Sequence, residues 1–176
     1  GQVCNKLEEI SEIAKKYNLI ILSDEIYSEL TFSKNFKSIS SYCPEKTIIS
    51  TGLSKWCGAG GWRLGYFIIP DELNNIKNMI NVLASETFSA VSAPIQYAAI
   101  KAYENDHSNY ITKSVNILSA VGKYVFSNLK SNKVLINEPH GGFYLMPEFL
   151  NNKFKTSSEM CKDCLLYTSD AADDQL

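Results

Sequence analysis

The sequence predicts an α/β fold: part of a large domain built on a mostly parallel sheet with flanking helices, followed by the start of a smaller α+β domain. Two observations carry this. Short continuous apolar runs, suited to strands covered on both faces, alternate with longer segments whose apolar residues recur at helical spacing. The pattern then changes near Asn105–Asn109, where polar residues precede one long amphipathic segment and two short strand-like pieces. The predicted division is 1–105 for the large-domain part, 106–163 for the start of the small domain, and 164–176 for a tail.

Each element has its own reason. Asn5–Tyr17 carries Leu7, Ile10, Ile13 and Ala14 at helical spacing, with Asn5 placed as N-cap and Glu8 placed to close a capping box. Leu19–Leu22 is four consecutive apolar residues and predicts a buried strand that stops at Ser23-Asp24-Glu25. Thr47–Ser50 predicts a second strand, leading into Thr51-Gly52-Leu53-Ser54-Lys55 and a glycine-rich loop. Arg63–Ile69 predicts a third, closed by Pro70. Asp71–Glu86 places Leu73, Ile76, Met79, Ile80 and Leu83 on one helical face. Pro94 can open a helix over Ile95–Tyr103. Ser108–Leu129 predicts a long amphipathic helix through Ile111, Val115, Leu118, Val121, Val125 and Leu129. Val134–Ile136 and Gly142–Met146 predict two further strands.

The bulk properties are those of an ordinary globular chain: 176 residues, 45% hydrophobic, 20% charged. A net charge of −2 gives no electrostatic reason to expect a nucleic-acid or anionic-membrane partner. Five irregularly spaced cysteines do not make a disulfide framework, and a reducing cytoplasm is the simpler expectation. No apolar run approaches the roughly 18 residues of a membrane span. The chain opens at Gly1 without Met, which reads as a missing N-terminus. Its other end, Cys164-Leu165-Leu166-Tyr167-Thr168-Ser169-Asp170-Ala171-Ala172-Asp173-Asp174, resembles a translated sequencing adapter, and on that reading natural sequence ends near Asp163. A single C-x-x-C at Cys161 and Cys164 is then no metal site.

The candidate chemistry lies at the strand ends. Asp24 and Lys55 each follow a predicted strand, and in open parallel sheets ligands bind at the carboxyl ends of strands. A partly desolvated lysine becomes an amine nucleophile. Gly58, Gly60 and Gly61 leave room for close backbone approach, as anion sites require. Arg63 offers a rigid fork of donors suited to phosphate. A lysine, an arginine and a carboxylate on one sheet edge point to a phosphorylated carbonyl cofactor held through an amine. The plain alternative is a strand-ending Asp that caps a turn and a solvated Lys and Arg.

Gly52-Leu53-Ser54-Lys55-Trp56-Cys57-Gly58-Ala59-Gly60-Gly61-Trp62-Arg63-Leu64-Gly65 resembles the cofactor-lysine signature of the class I/II pyridoxal-phosphate-dependent aminotransferases, of fold type I and similar to aspartate aminotransferase. Ser23-Asp24-Glu25-Ile26-Tyr27 resembles that family's upstream Asp-x-x-Tyr motif, and His140-Gly141-Gly142-Phe143-Tyr144 the start of its small-domain strand pair. Gly1 stands where the glycine of N-P-x-G would stand.

The resemblance implies pyridoxal 5′-phosphate as cofactor. It implies Lys55 as the lysine that bonds to it and then moves the proton. Asp24 would pair with the ring nitrogen, Tyr27 with the phenolic oxygen, and Arg63 and Ser54 with the phosphate. One position departs from part of the family: Gly52 stands where many members carry Ser or Thr. Cys57, Trp56 and Trp62 are expected to pack rather than react.

The implied reaction moves an amino group between an amino acid and a 2-oxo acid, with aspartate and 2-oxoglutarate as the default pair, in a homodimer. A carbon–sulfur lyase of the same fold, or the aminotransferase-like domain of a transcriptional regulator, are the rivals. Tyr27 and the Gly-Trp-Arg run favour transamination over lysis. Several parts of a complete site lie outside the chain, so the chain alone is expected to be inactive and poorly stable.

Overall fold

A computed structural model describes residues 6–33, 36–150 and 153–173. Gly1 and Asn5, and with them the N-P-x-G glycine and the expected N-cap, lie outside the described residues. The first helix, α1, spans Leu7–Lys16, and Lys6 precedes it without a side-chain capping bond. Its buried face is Ser11 and Ala14, while Ile10 and Ile13 are exposed. Asn18 ends it in the left-handed conformation at φ 54°, and Leu19 N–H returns to Ala14 O at 2.8 Å. Asparagine tolerates that conformation better than most residues, so the chain turns there into the sheet.

Three strands follow: β1 (Ile21–Asp24), β2 (Thr47–Gly52) and β3 (Gly65–Ile68). β1 pairs parallel with β2, setting Asp24 against Ser50, and β2 pairs antiparallel with β3, setting Gly52 against Gly65. An antiparallel edge strand on an otherwise parallel sheet is a common α/β arrangement. Gly52 is required at that register: a Cβ there would lie 2.5 Å from Leu64 O.

Two expectations change here. The Leu19–Leu22 run is not buried on both faces; Leu22 is 66% exposed and β1 alternates half-buried and exposed positions. The reason is placement, since β1 has β2 on one side and no other described strand beside it. The third strand begins at Gly65 rather than Arg63, because Arg63 adopts φ 56°, which no strand can hold.

A short 3-10 turn, Asp71–Leu73, opens α2 (Asn74–Thr87), and Pro94 sits in the first turn of α3 (Ala93–Glu104). α4 spans Ser108–Leu129, the predicted bounds. Its residues Ile111, Val115 and Leu118 pack on a core of Leu30, Leu53, Trp56, Leu64 and Ala99. That core sits beneath the loop between β2 and β3, so the loop's conformation is tied to α3 and α4. Two-residue strands β4 (Val134–Leu135) and β5 (Glu148–Phe149) pair antiparallel. The expected strand Gly142–Met146 is not formed. Gly142 has φ 64°, and Glu148–Phe149 takes its place as the partner of Val134–Leu135. A last helix, α5, runs Ser157–Asp173, crossing position 164 without interruption. No helix among the described residues is long and apolar enough to cross a membrane.

Candidate active site

Asp24 closes β1, where parallel pairing with β2 brings the chain ends of both strands to the same edge. Glu25 N–H continues the ladder to Ser50 O at 2.8 Å. Asp24 Oδ1 accepts from Ile26 N–H at 3.3 Å, forming the turn that carries Tyr27. The neighbouring Glu25 fixes this edge from behind. Its Oε1 accepts from Ser23 Oγ at 3.0 Å and Ser38 Oγ at 2.5 Å.

Lys55 lies in the turn immediately after β2, and its carbonyl accepts from Gly58 N–H at 3.2 Å. Leu53 and Trp56 on either side are buried. Anchoring the flanks leaves the half-buried Lys55 side chain to reach out across the sheet edge. Its Nζ stands 5.6 Å from the Tyr27 ring centre and 5.2 Å from that of Phe143. Contacts of this length to ring faces are attractive for an ammonium but weaker than a desolvated ion pair. Among the described residues Lys55 Nζ makes no ion pair. The amine is therefore walled by apolar rings and not consumed by a carboxylate.

Tyr27, Phe143 and Tyr144 form an aromatic trio with ring centres 5.4, 5.9 and 5.0 Å apart, the two contacts of Tyr27 being edge-on. Burial pushes the Tyr27 phenol up to about 12, helped by its hydrogen bond to Tyr144 and by the nearby negative Asp24. Asp24, Tyr27, Gly141, Gly142 and Tyr144 share the wall of one open cleft of about 410 Å³, which Ser54, Lys55 and Arg63 do not line.

Ser54 and Arg63 each lie against Gly60, elsewhere on the same loop. Arg63 Nη1 donates to Gly60 O at 2.7 Å, and Gly60 in turn lies against the Ser54 backbone, where a Cβ would come 3.5 Å from Ser54 O. Gly58 holds φ 66°, and a Cβ on Gly61 would meet nothing within 4 Å. The loop thus presents open backbone at Gly61, next to the guanidinium of Arg63, whereas a Cβ on Gly58 would lie 3.3 Å from the Tyr110 hydroxyl. Of the five predicted residues, Asp24, Tyr27 and Lys55 come together, whereas Ser54 and Arg63 share only Gly60 as a neighbour. Cys57 packs against the core, and Trp56 is buried against Tyr103 and His107, so both are packing residues.

Phe143 and Tyr144 were legible as part of a motif, but nothing in the sequence said that they stand on Tyr27 and Lys55. Glu25 carried no signal beyond its place beside Asp24. Among the described residues no group of His, Cys, Asp and Glu could hold a metal ion.

The residues suit pyridoxal phosphate by the chemistry of their donor set: an amine in an apolar surround, a carboxylate at the adjacent strand end, a phenol that keeps its proton, and an arginine beside open glycine backbone.

Comparison with known proteins agrees. An aspartate aminotransferase of Thermotoga maritima is 32% identical over 160 residues, covering 90% of this chain and 39% of that protein. An alanine aminotransferase of Pyrococcus furiosus superposes with a TM-score of 0.78 at 31% identity, over 88% of this chain and 40% of that one. A PLP-bound structure from Clostridium difficile 630 has a TM-score of 0.70 over 84% of this chain and 40% of that one; at 24% identity it speaks for the fold alone. The chain spans about two fifths of the length of such relatives. The family model for aminotransferase class I and II matches residues 3–170. With a lysine, an aspartate and a tyrosine gathered at the ends of a parallel strand pair, and nearly the whole length matched, this chain belongs to the class I and II aminotransferases.

Proposed function

We propose that the protein carrying this chain is a pyridoxal-phosphate-dependent aminotransferase, moving an amino group between an amino acid and a 2-oxo acid. The observation that supports it most is Lys55 Nζ at the end of β2, turned onto Tyr27 and Phe143, with Asp24 at the end of the adjoining parallel strand. When bound, pyridoxal phosphate supplies an aldehyde that captures an amine and a ring that withdraws electrons from the neighbouring carbon.

The roles of the chain's own residues follow from their chemistry. Lys55 would hold the cofactor through Nζ and, with that amine free, would carry the proton between the substrate's α-carbon and the cofactor's aldehyde-derived carbon. Asp24 keeps a proton on the ring nitrogen by charge pairing. Tyr27 would donate a hydrogen bond to the phenolic oxygen. Arg63 and Ser54 would donate to the phosphate, beside the open backbone of Gly61.

The same reading includes the division into a large-domain part at 1–105 and the start of a small domain at 106–163, with 164–176 as a foreign tail. It includes aspartate with 2-oxoglutarate as the substrate pair, a homodimer, and a cytoplasmic location. The test is the complete protein with pyridoxal phosphate. A visible absorbance band that vanishes in Lys55→Ala, together with release of a 2-oxo acid from the amino donor, is the expected result. Release of pyruvate from a cystathionine-like substrate without amino transfer would replace this reading with lysis.

A further inference from the structure

The stretch His140–Tyr144 is more than 100 residues from Tyr27 in sequence, yet it is laid on the site by specific backbone contacts. Phe32 N–H donates to His140 O at 2.8 Å, Gly142 N–H donates to Leu30 O at 2.9 Å, and Thr31 bridges Gly141 in antiparallel fashion. Two consecutive glycines permit this approach. A Cβ on Gly141 would lie 2.8 Å from Leu30 O and 3.0 Å from Thr31 Cα; on Gly142, at φ 64°, it would press on the Tyr27 ring at 3.4 Å. The chain passes over residues 27–31 at backbone contact distance and then releases Phe143 and Tyr144 against Tyr27.

We propose that Tyr144 is the positioning residue for Tyr27: the phenol–phenol hydrogen bond aims the Tyr27 hydroxyl so that its proton is given to the anionic oxygen of the bound cofactor. This rests on the function proposed above. A phenol has one proton and two lone pairs. Two phenols sharing one hydrogen bond therefore leave one proton uncommitted. When an anionic acceptor stands beside Tyr27, Tyr27 donates to it and accepts from Tyr144, and each bond polarises the other. Burial raises the Tyr27 phenol, so it carries a proton to donate through the physiological range. Phe143 and Tyr144 both hold the Tyr27 ring edge-on, at 5.4 and 5.9 Å, so a substitution that keeps the Tyr144 ring isolates what its hydroxyl does.

Tyr144→Phe removes the hydroxyl and keeps the ring. In the complete protein loaded with pyridoxal phosphate, the readout is the pH midpoint of the bound cofactor's colour change. Donation to the phenolic oxygen favours its anionic form, so losing donation moves the midpoint upward. Tyr144→Phe is expected to raise it in the same direction as Tyr27→Phe but by less, and to weaken cofactor binding about five-fold. The double variant is expected to match Tyr27→Phe alone, because one residue acts through the other. A Tyr144→Phe midpoint equal to wild type, or additive shifts in the double variant, overturns this inference while the functional reading stands. A wild type without a Lys55-dependent band overturns both.

Discussion

Lys55 sits between two buried neighbours, Leu53 and Trp56, and that alternation lets a charged side chain leave the core edge while its backbone stays fixed. Around it, single atoms decide what is tolerated. Gly141→Ala places a methyl group 2.8 Å from a backbone oxygen, which nothing flexible can yield to. It is expected to cost about 1–3 kcal/mol, as overpacking does, read as a lowered urea midpoint of the complete protein, and to detach Tyr144 from Tyr27.

Tyr27 gives a pH prediction with a definite sign. Its folded phenol is raised to about 12 from an ordinary value of 10.0 by burial and by Tyr144. The stabilisation it contributes is therefore fully present below pH 10 and is lost as pH climbs toward 12. Tyr66 is raised too, by burial and its hydrogen bond to Tyr103, and adds to the same alkaline loss. Denaturation curves of wild type and Tyr27→Phe between pH 9 and 12 are expected to converge as pH rises.

At the scale of elements, the strand end that carries Asp24 is held by an acid that takes no part in the proposed chemistry. Glu25 accepts from Ser23 and Ser38, tying β1 to the 3-10 turn Ile39–Ser41, whose Ile39 is buried. Glu25→Ala leaves two half-buried hydroxyls without their charged acceptor and is expected to cost about 1.5 kcal/mol. Ser38→Ala is expected to cost less and to be nearly silent in the Glu25→Ala background, a double-mutant comparison by chemical denaturation. The element boundaries that were legible are those with local causes. α4 has the predicted bounds because its apolar period and polar flanks coincide, and Pro94 opens α3 because it needs no donor there. The strand expected at Gly142–Met146 failed because a glycine pair near a strand pattern reads the same whether it extends or turns. Contact with residues 27–31, far away in sequence, selected the turn.

The whole molecule exposes 13003 Å², whereas a compact protein of 19.7 kDa exposes about 8,600 Å² by size scaling. The excess is apolar in places where a core would be expected: Leu22 on β1, Phe67 and Ile68 on β3, and Met79, Val82 and Leu83 on α2. Exposed apolar surface of this extent drives association. The isolated 176-residue chain is expected to bind a hydrophobic dye, to elute larger than a monomer, and to show no transaminase turnover. Monomeric elution with detectable turnover would contradict this.

By itself the sequence determined the order of helices and strands from α1 to β4, the lysine signature with its glycine-rich loop, and the Asp-x-x-Tyr turn, because each depends on neighbours a few residues away: apolar period, turn chemistry, and the side chains that a short motif fixes. Tertiary structure alone decided which faces of β1 and α2 are covered, that Arg63 turns back to Gly60 in a left-handed conformation, and that Tyr144 reaches Tyr27 and Phe143 reaches Lys55. Those outcomes depend on segments distant in the chain meeting at one strand end. The free energy of such meetings belongs to the assembled surfaces and not to any local stretch of residues.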